Sequence, residues 1–487
     1  MTFESIDKNK IPETEQYLKW IEGYTCLPHR RTGSAEGEKS ANYTKEVFES
    51  LGLQNVHIEE TDAFLYENDA YALSVNGEDI PCYPINGTFR KESYGTFGVG
   101  EEGKNADIIF LNCGDEEDFE GIDVRGKVVV CDCPWKASDE ETYLNWSDGT
   151  FKYDPDEENR IMVGRKTDSY TPYKWPYNYC RALQAGAVGF VGILTDYFAD
   201  GIFYNEDYSD EIKGYGINAD SLPALWVGSD AGEKLRAMLT DDEDAKADFV
   251  LQKTYRQATA KNVIGILPGM SKETILIHSH HDAVFTGAVQ DASGMAEIMG
   301  LASYFSQIPQ EQRQKTLMFA ATDGHYTDYE GHRDFIARRK AEHTDIILDA
   351  VIEHVAKEVV LGEHNEPIET GEAELRMFYV TDKGELWNLT KEAVIRNDIR
   401  RTIMLPAKVN EVAANGDYVF EQDEVISDAY YNAQEGIPVV SILSPPMYLF
   451  HPMDRINMVA KEWLRSIGIM YAEIITEVMK FERSFKR

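Results

Sequence analysis

The chain has 487 residues and carries 48 Lys+Arg against 85 Asp+Glu, a formal net charge of −37, with 43% hydrophobic and 11% aromatic residues. At about 100–200 residues per domain this length predicts two to four domains, and the apolar content is too high for a disordered chain. So acidic a surface repels nucleic acid and anionic lipid, so neither is an expected partner, and no run reaches the ~18 consecutive apolar residues of a membrane span.

The first residues have no apolar core behind a basic cluster, so they do not read as a signal peptide. The six cysteines are sparse, none at zinc-finger spacing, and read as reduced thiols. Together these features predict a cytoplasmic protein.

Residues 10–25 and 36–51 read as helices. In the second, Ala41, Val47, Phe48 and Leu51 recur at helical spacing, and Gly52 ends the run. Residues 56–58 read as a strand. From about 95 to 255, short β runs (108–112, 128–133, 190–194, 224–227) alternate with turns and one helix, 178–185. The polar, acidic stretch 136–176 reads as a long loop or lid, and 241–244 as a solvated turn. From 262 onward strands (262–267, 274–278, 315–321, 346–354, 439–442) alternate with helices (293–305, 328–339, 385–396, 458–482). That alternation predicts an α/β fold with a mostly parallel sheet flanked by helices, and chemistry beyond the carboxyl ends of the strands.

Eight of the eleven histidines fall between 278 and 364, and His451 stands alone later. Four predicted strand ends each deliver an imidazole: His280 with Asp282, His325, Glu353 with His354, and His451. Neutral imidazoles and carboxylates converging from rigid elements are what a metal site requires. In His280-His281-Asp282, one ring nitrogen of His280 can face a metal while Asp282 accepts the proton of the other. Residues 287–294 form a Gly-bounded turn whose Asp291 and Ser293 can cap the following helix.

With these motifs in place, the chain resembles the M28 family of zinc peptidases, which includes aminopeptidases and carboxypeptidases. The resemblance rests on Arg31-Thr32-Gly33-Ser34 and the helix after it, Asn262-Val263-Ile264 with Leu267-Pro268-Gly269, His280-x-Asp282, Gly287–Gly294, Gly436-Ile437-Pro438 and His451-Pro452-Met453-Asp454. Residues 118–130, 181–190 and 222–227 resemble a protease-associated (PA) domain. The resemblance implies a zinc-peptidase-like domain of residues 1–92 and 258–487 with a β-rich PA domain, 93–257, inserted into it.

Carried over residue by residue, the resemblance implies His280 as the first ligand with Asp282 supporting it, Glu353 as a further ligand and His451 as the last. The family's bridging Asp falls on Gln290, beside Asp291, and its Glu-Glu pair falls on His325-Tyr326. An amide is a poor bridge between two dications. One divalent metal is therefore expected, zinc by its donors with iron or manganese as alternatives, held by His280, Glu353, His451 and His325. His325 also occupies the general-base position, and Tyr326 can donate its hydroxyl hydrogen to an oxyanion. Asp282, Gln290, Asp291 and His354 are expected around the ligands; His281 and His332 are open candidates for the same role.

Three functional readings follow. The first is a metal-dependent hydrolase of amide or peptide bonds in a small peptide or amino-acid conjugate, with Asp282, His325 and Tyr326 as catalytic residues. The second is a non-catalytic homologue used for binding. The third is a repurposed mononuclear metalloenzyme with other chemistry. Homodimerisation is an expectation from the family alone.

Overall fold

The strand Thr274–His280 is buried at every residue, as are Val439–Leu443 and Arg376–Val380. Runs without polar alternation belong to strands covered on both faces, and the computed structural model places them so. It describes residues 6–89, 94–135, 137–138, 151–155, 166–167, 172–205, 222–381, 384–407 and 425–481. Thr316–Thr322, Thr274–His280, Ile346–Ile352 and Val439–Leu443 lie side by side in that order, all parallel. Lys246–Leu267 closes one side antiparallel, and Arg376–Val380 the other.

Alternate residues of these strands face opposite layers. Val263, Ile275, Ile277, Leu317 and Phe319 join the large core that also takes in the helices Thr14–Thr25, Gly294–Ser306 and Lys461–Val478. Ile264, Leu276, Met318 and Ala320 meet Phe335 of the helix Glu330–Ala341 on the other face. His278 and His280 continue the Leu276 series and so share the face of that second helix.

The segment between 93 and 257 has its own parallel strands, Ala106–Phe110, Lys127–Pro134, Gly189–Thr195 and Ala224–Val227. A long antiparallel ribbon, Gln54–Val75 against Lys246–Leu267, links it to the rest, so that 16 strands form one continuous sheet. The boundary expected at 257/258 thus falls inside the single strand Lys246–Leu267. The sequence predicts only residues 56–58 of the first ribbon strand. Residues 59–75 mix acidic, aromatic and small side chains without a clean alternation, because the ribbon exposes much of both faces.

The predicted 136–176 loop falls largely outside the described residues. Of its described part, Phe151–Tyr153 adds an edge strand to Thr402–Pro406, and Ala137–Ser138 pairs with Lys166–Thr167. The antiparallel pair Lys357–Leu361 and Pro367–Ala373, the strands Arg376–Val380 and Thr402–Pro406, and the helix Ser229–Asp241 are additions to the predicted elements. Among the described residues, no helix is long and apolar enough to cross a membrane.

One buried acid in the helical layer gives a pH-dependent prediction. Glu297, on Gly294–Ser306, is fully buried, and neither carboxyl oxygen has a hydrogen-bond partner. Burial pushes its carboxyl well above the usual carboxylate range. The folded state therefore holds this proton more tightly than the unfolded state. The stabilisation is fully present below the unfolded pKa and falls away as pH rises towards the folded one, at up to about 1.4 kcal/mol per pH unit. Glu297→Gln should gain stability relative to wild type on going from pH 5 to pH 8, read by urea denaturation; a difference independent of pH would show that Glu297 is ionised in the fold.

Candidate metal centre

His280 is the last residue of its strand and is fully buried. Its Nδ1 donates to Asp282 Oδ1 at 3.0 Å, which leaves the lone pair on Nε2, and that atom has no hydrogen-bond partner. Burial first, and then the neighbouring His325, lower the pKa of His280, so the ring is neutral and fit to bind a cation. Burial alone would raise Asp282, but the hydrogen bond and charge of His280 outweigh it and hold the carboxyl at about 2. This pair is as the sequence predicts.

Asp282 is anchored from the N-terminal segment. Thr32 Oγ1 bonds both Asp282 (3.2 Å) and Asp323 (2.6 Å), and the buried Arg30 donates to the carbonyls of His281, Thr286 and Gly287. The Arg31-Thr32-Gly33-Ser34 motif therefore borders the site. His281 turns away from it, with its ring bonded to Ser40 and to the Lys261 carbonyl.

His325 follows the strand Thr316–Thr322. Its ring stacks on that of His280, with centroids 4.2 Å apart and planes 17° off parallel, and its Nδ1 stands 3.0 Å from Asp428 Oδ1. Ring nitrogens of His280 and His325 and a carboxylate oxygen of Asp428 lie within 4.8 Å of one another, all buried. Two donors on one tetrahedral zinc stand about 3.3 Å apart, close to the His325–Asp428 separation. Burial would raise Asp428, but His332, His325 and His280 around it hold the carboxyl well below the usual range.

Glu353 follows Ile346–Ile352 and accepts the Asp428 amide on Oε1 at 3.2 Å. Burial, then Asp428 and Asp291, hold its carboxyl well above the usual range. His354 is in the left-handed region at φ 54, a conformation that costs energy for this residue type and clusters at functional sites. Its amide donates to Asp291 Oδ1 at 3.2 Å and its Nδ1 to the Ser444 carbonyl at 3.0 Å. Its Nε2 is left without a partner, 3.9 Å from Glu353 Oε2. Asp291 also accepts from Ser279 Oγ and from the Gly294 amide.

The structure does not bring all the expected ligands together. His451 Nε2 is bonded to both oxygens of Asp200, at 3.0 and 3.1 Å, and its ring lies 4.8 Å from that of Phe198. Asp200 follows the strand Gly189–Thr195, and among the described residues His451 is not in the group formed by His280, His325 and Asp428. The acid that does converge on that pair is Asp428, which the sequence reading does not single out. It stands beyond residues 408–424, in Ser427-Asp428-Ala429, where no spacing marks it. Gln290 is buried, with Oε1 unpartnered among the described residues and its amide donating to Asp454. Tyr326 lies edge-on to His280 and to Tyr204. With Phe285, Leu449, Gln290 and Asp454 it borders a narrow cleft.

The donors fit a divalent cation. Among the described residues, His280 Nε2, His354 Nε2, Gln290 Oε1 and Asp428 Oδ2 are all buried atoms without hydrogen-bond partners, and such atoms are costly unless something satisfies them. Residues 262–475 match the sequence profile of peptidase family M28. These residues form an M28-family domain. The matched residues thus take in His280, His325, Glu353 and His451 after their strands and Asp428 on a loop.

Similarity of fold extends over nearly the whole chain. BSAP, a zinc aminopeptidase from Bacillus subtilis, is 17% identical with a TM-score of 0.64, covering 98% of this chain and 97% of that one. The aminopeptidase from Aneurinibacillus sp. strain AM-1 is 17% identical at a TM-score of 0.59, covering 96% and 95%. The peptidase M28 precursor from Shewanella amazonensis SB2B is 14% identical at 0.66, covering 99% and 96%. No curated protein matches the chain in sequence. At family level, the M28 domain is that of a metal-dependent peptide hydrolase.

Proposed function

We propose that this protein hydrolyses an amide bond of a small peptide or amino-acid conjugate at a divalent metal, zinc by its donor set, held by His280, His325 and Asp428. The convergence of these three buried side chains carries the reading. With the His325 proton on Nε2, which faces the Tyr329 hydroxyl at 3.5 Å, Nδ1 offers its lone pair to the centre. The ion, when bound, would polarise the substrate carbonyl and acidify a water.

The remaining steps belong to this chain. Asp428 and Glu353 are adjacent carboxyls whose environments drive their pKa values in opposite directions, a split that separates a permanent anion from a proton-transfer group. Asp428 stays ionised as a ligand, and Glu353 accepts the proton of the attacking water and passes it to the leaving amine. Tyr326, on the wall of the cleft, donates to the developing oxyanion. Iron or manganese would suit the same two-imidazole, one-carboxylate set.

Zinc-loaded protein should cleave amino-acid p-nitroanilides or dipeptides. His280→Ala should lose more than about 100-fold in kcat/KM, since even groups that only support a ligand are worth about 10–100-fold. Turnover untouched by a chelator and by this substitution would refute the proposal. Gln290, Tyr326 and the His451–Asp200 contact favour one other reading, a homologue that binds amides without cleaving them. Saturable binding of the same compounds by zinc-loaded protein with no turnover would establish it.

A further inference from the structure

Beneath the centre lies a second cluster with no counterpart among the residues that the family resemblance assigns. His278 is two residues before His280 on the same face of the strand, about 6.6 Å deeper along it. His332, in the first turn of Glu330–Ala341, lies against it with ring centroids 5.5 Å apart. His278, His332 and Asp428 present donor atoms within 4.8 Å of one another, all buried.

Among the described residues, neither ring nitrogen of His332 has a hydrogen-bond partner, although the residue is only 2% exposed. Its Nδ1 is 3.9 Å from Asp428 Oδ1. His278 uses Nε2 on Thr322 Oγ1 at 3.1 Å, and its Nδ1 stands 3.7 Å from Asp349 Oδ2. Asp349 is itself buried, takes one hydrogen bond from Asn432 on Oδ2, and leaves Oδ1 without a partner. A ring buried with both nitrogens unsatisfied is out of keeping with a purely structural histidine, because buried polar atoms are nearly always paired. Two imidazoles and a carboxylate form a ligand set for zinc.

We propose that His278, His332 and Asp428 bind a second divalent cation, with Asp428 bridging it to the ion at His280 and His325 and Asp349 in reach as a further ligand. The inference rests on the outer centre proposed above, since Asp428 serves both. It departs from the single ion expected from sequence. The bridge lost at Gln290 is restored by a carboxylate from another loop, and the second ion sits on the inner side of the first instead of towards Tyr326 and His451.

The test is a zinc count per chain, by plasma mass spectrometry after loading metal-free protein with zinc and removing the excess. Wild type should hold two ions, His332→Phe and His332→Asn one each, and His280→Ala one. One ion in wild type, kept in both His332 variants and lost in His280→Ala, would overturn the inner site and leave the outer reading standing. Two ions in wild type with neither removed by the His332 substitutions would also overturn it. No bound zinc in wild type would overturn both. A wild-type count below two rules out the inner ion whether or not a variant folds.

Discussion

Asp428→Asn should abolish metal binding at the centre and reduce amide turnover to background. Among the described residues, Asp428 is the carboxylate grouped with both His280 and His325, and the imidazoles around it keep it ionised. An amide of the same shape keeps the packing and removes the charge that binds the cation. The loss should exceed about 100-fold in zinc affinity, read by competition with a chromogenic chelator, because groups outside the ligand set already cost about 10–100-fold. Retention of affinity and turnover in Asp428→Asn would remove this residue from the ligands and return the role to Glu353 and His451.

Asp291→Ala should destabilise the fold by about 3–5 kcal/mol, among the largest effects expected from a single substitution. Asp291 receives Ser279 from one strand, the Gly294 amide from the start of a helix and the His354 amide from the end of another strand. Alanine would strand three buried donors at once, each worth about 1–3 kcal/mol when left unsatisfied. Burial holds the Asp291 carboxyl well above the usual range, so a neutral replacement is better tolerated, and Asp291→Asn should lose less than half as much. Urea denaturation of the two variants measures the difference. Equal stability of wild type and Asp291→Ala would show that the three donors find other partners.

Much of the central sheet was legible because strands buried on both faces write themselves as nearly continuous apolar runs. Thr274–His280, Thr316–Thr322, Ile346–Ile352 and Val439–Leu443 are such runs, and a His or Glu directly after a run must lie at a strand end. His280, His325, Glu353 and His354 were readable on that ground. Asp282 was readable because a residue two positions on can reach the ring it supports.

Other features were hidden by long-range placement. Asp428 approaches from a loop more than 100 residues after His325, and no local pattern encodes that meeting. His451 sits at its expected strand end, yet Asp200, from a segment some 250 residues earlier, sets its hydrogen bonds. The long ribbon Gln54–Val75 escaped because its partner strand, Lys246–Leu267, lies far later in the chain. His278 looked like a strand residue among others, and only its pairing with His332 across the helix face gives it a role.

The central claim is that the cation sits between His280, His325 and Asp428 in place of the position towards Tyr326 and His451. A crystal of the zinc-loaded protein, with anomalous scattering recorded on both sides of the zinc edge, locates it directly. The account predicts a peak about 2.0–2.2 Å from ring nitrogens of His280 and His325 and from a carboxylate oxygen of Asp428. A peak bound by His451 and Tyr326, with Asp428 left on His325 alone, would contradict it.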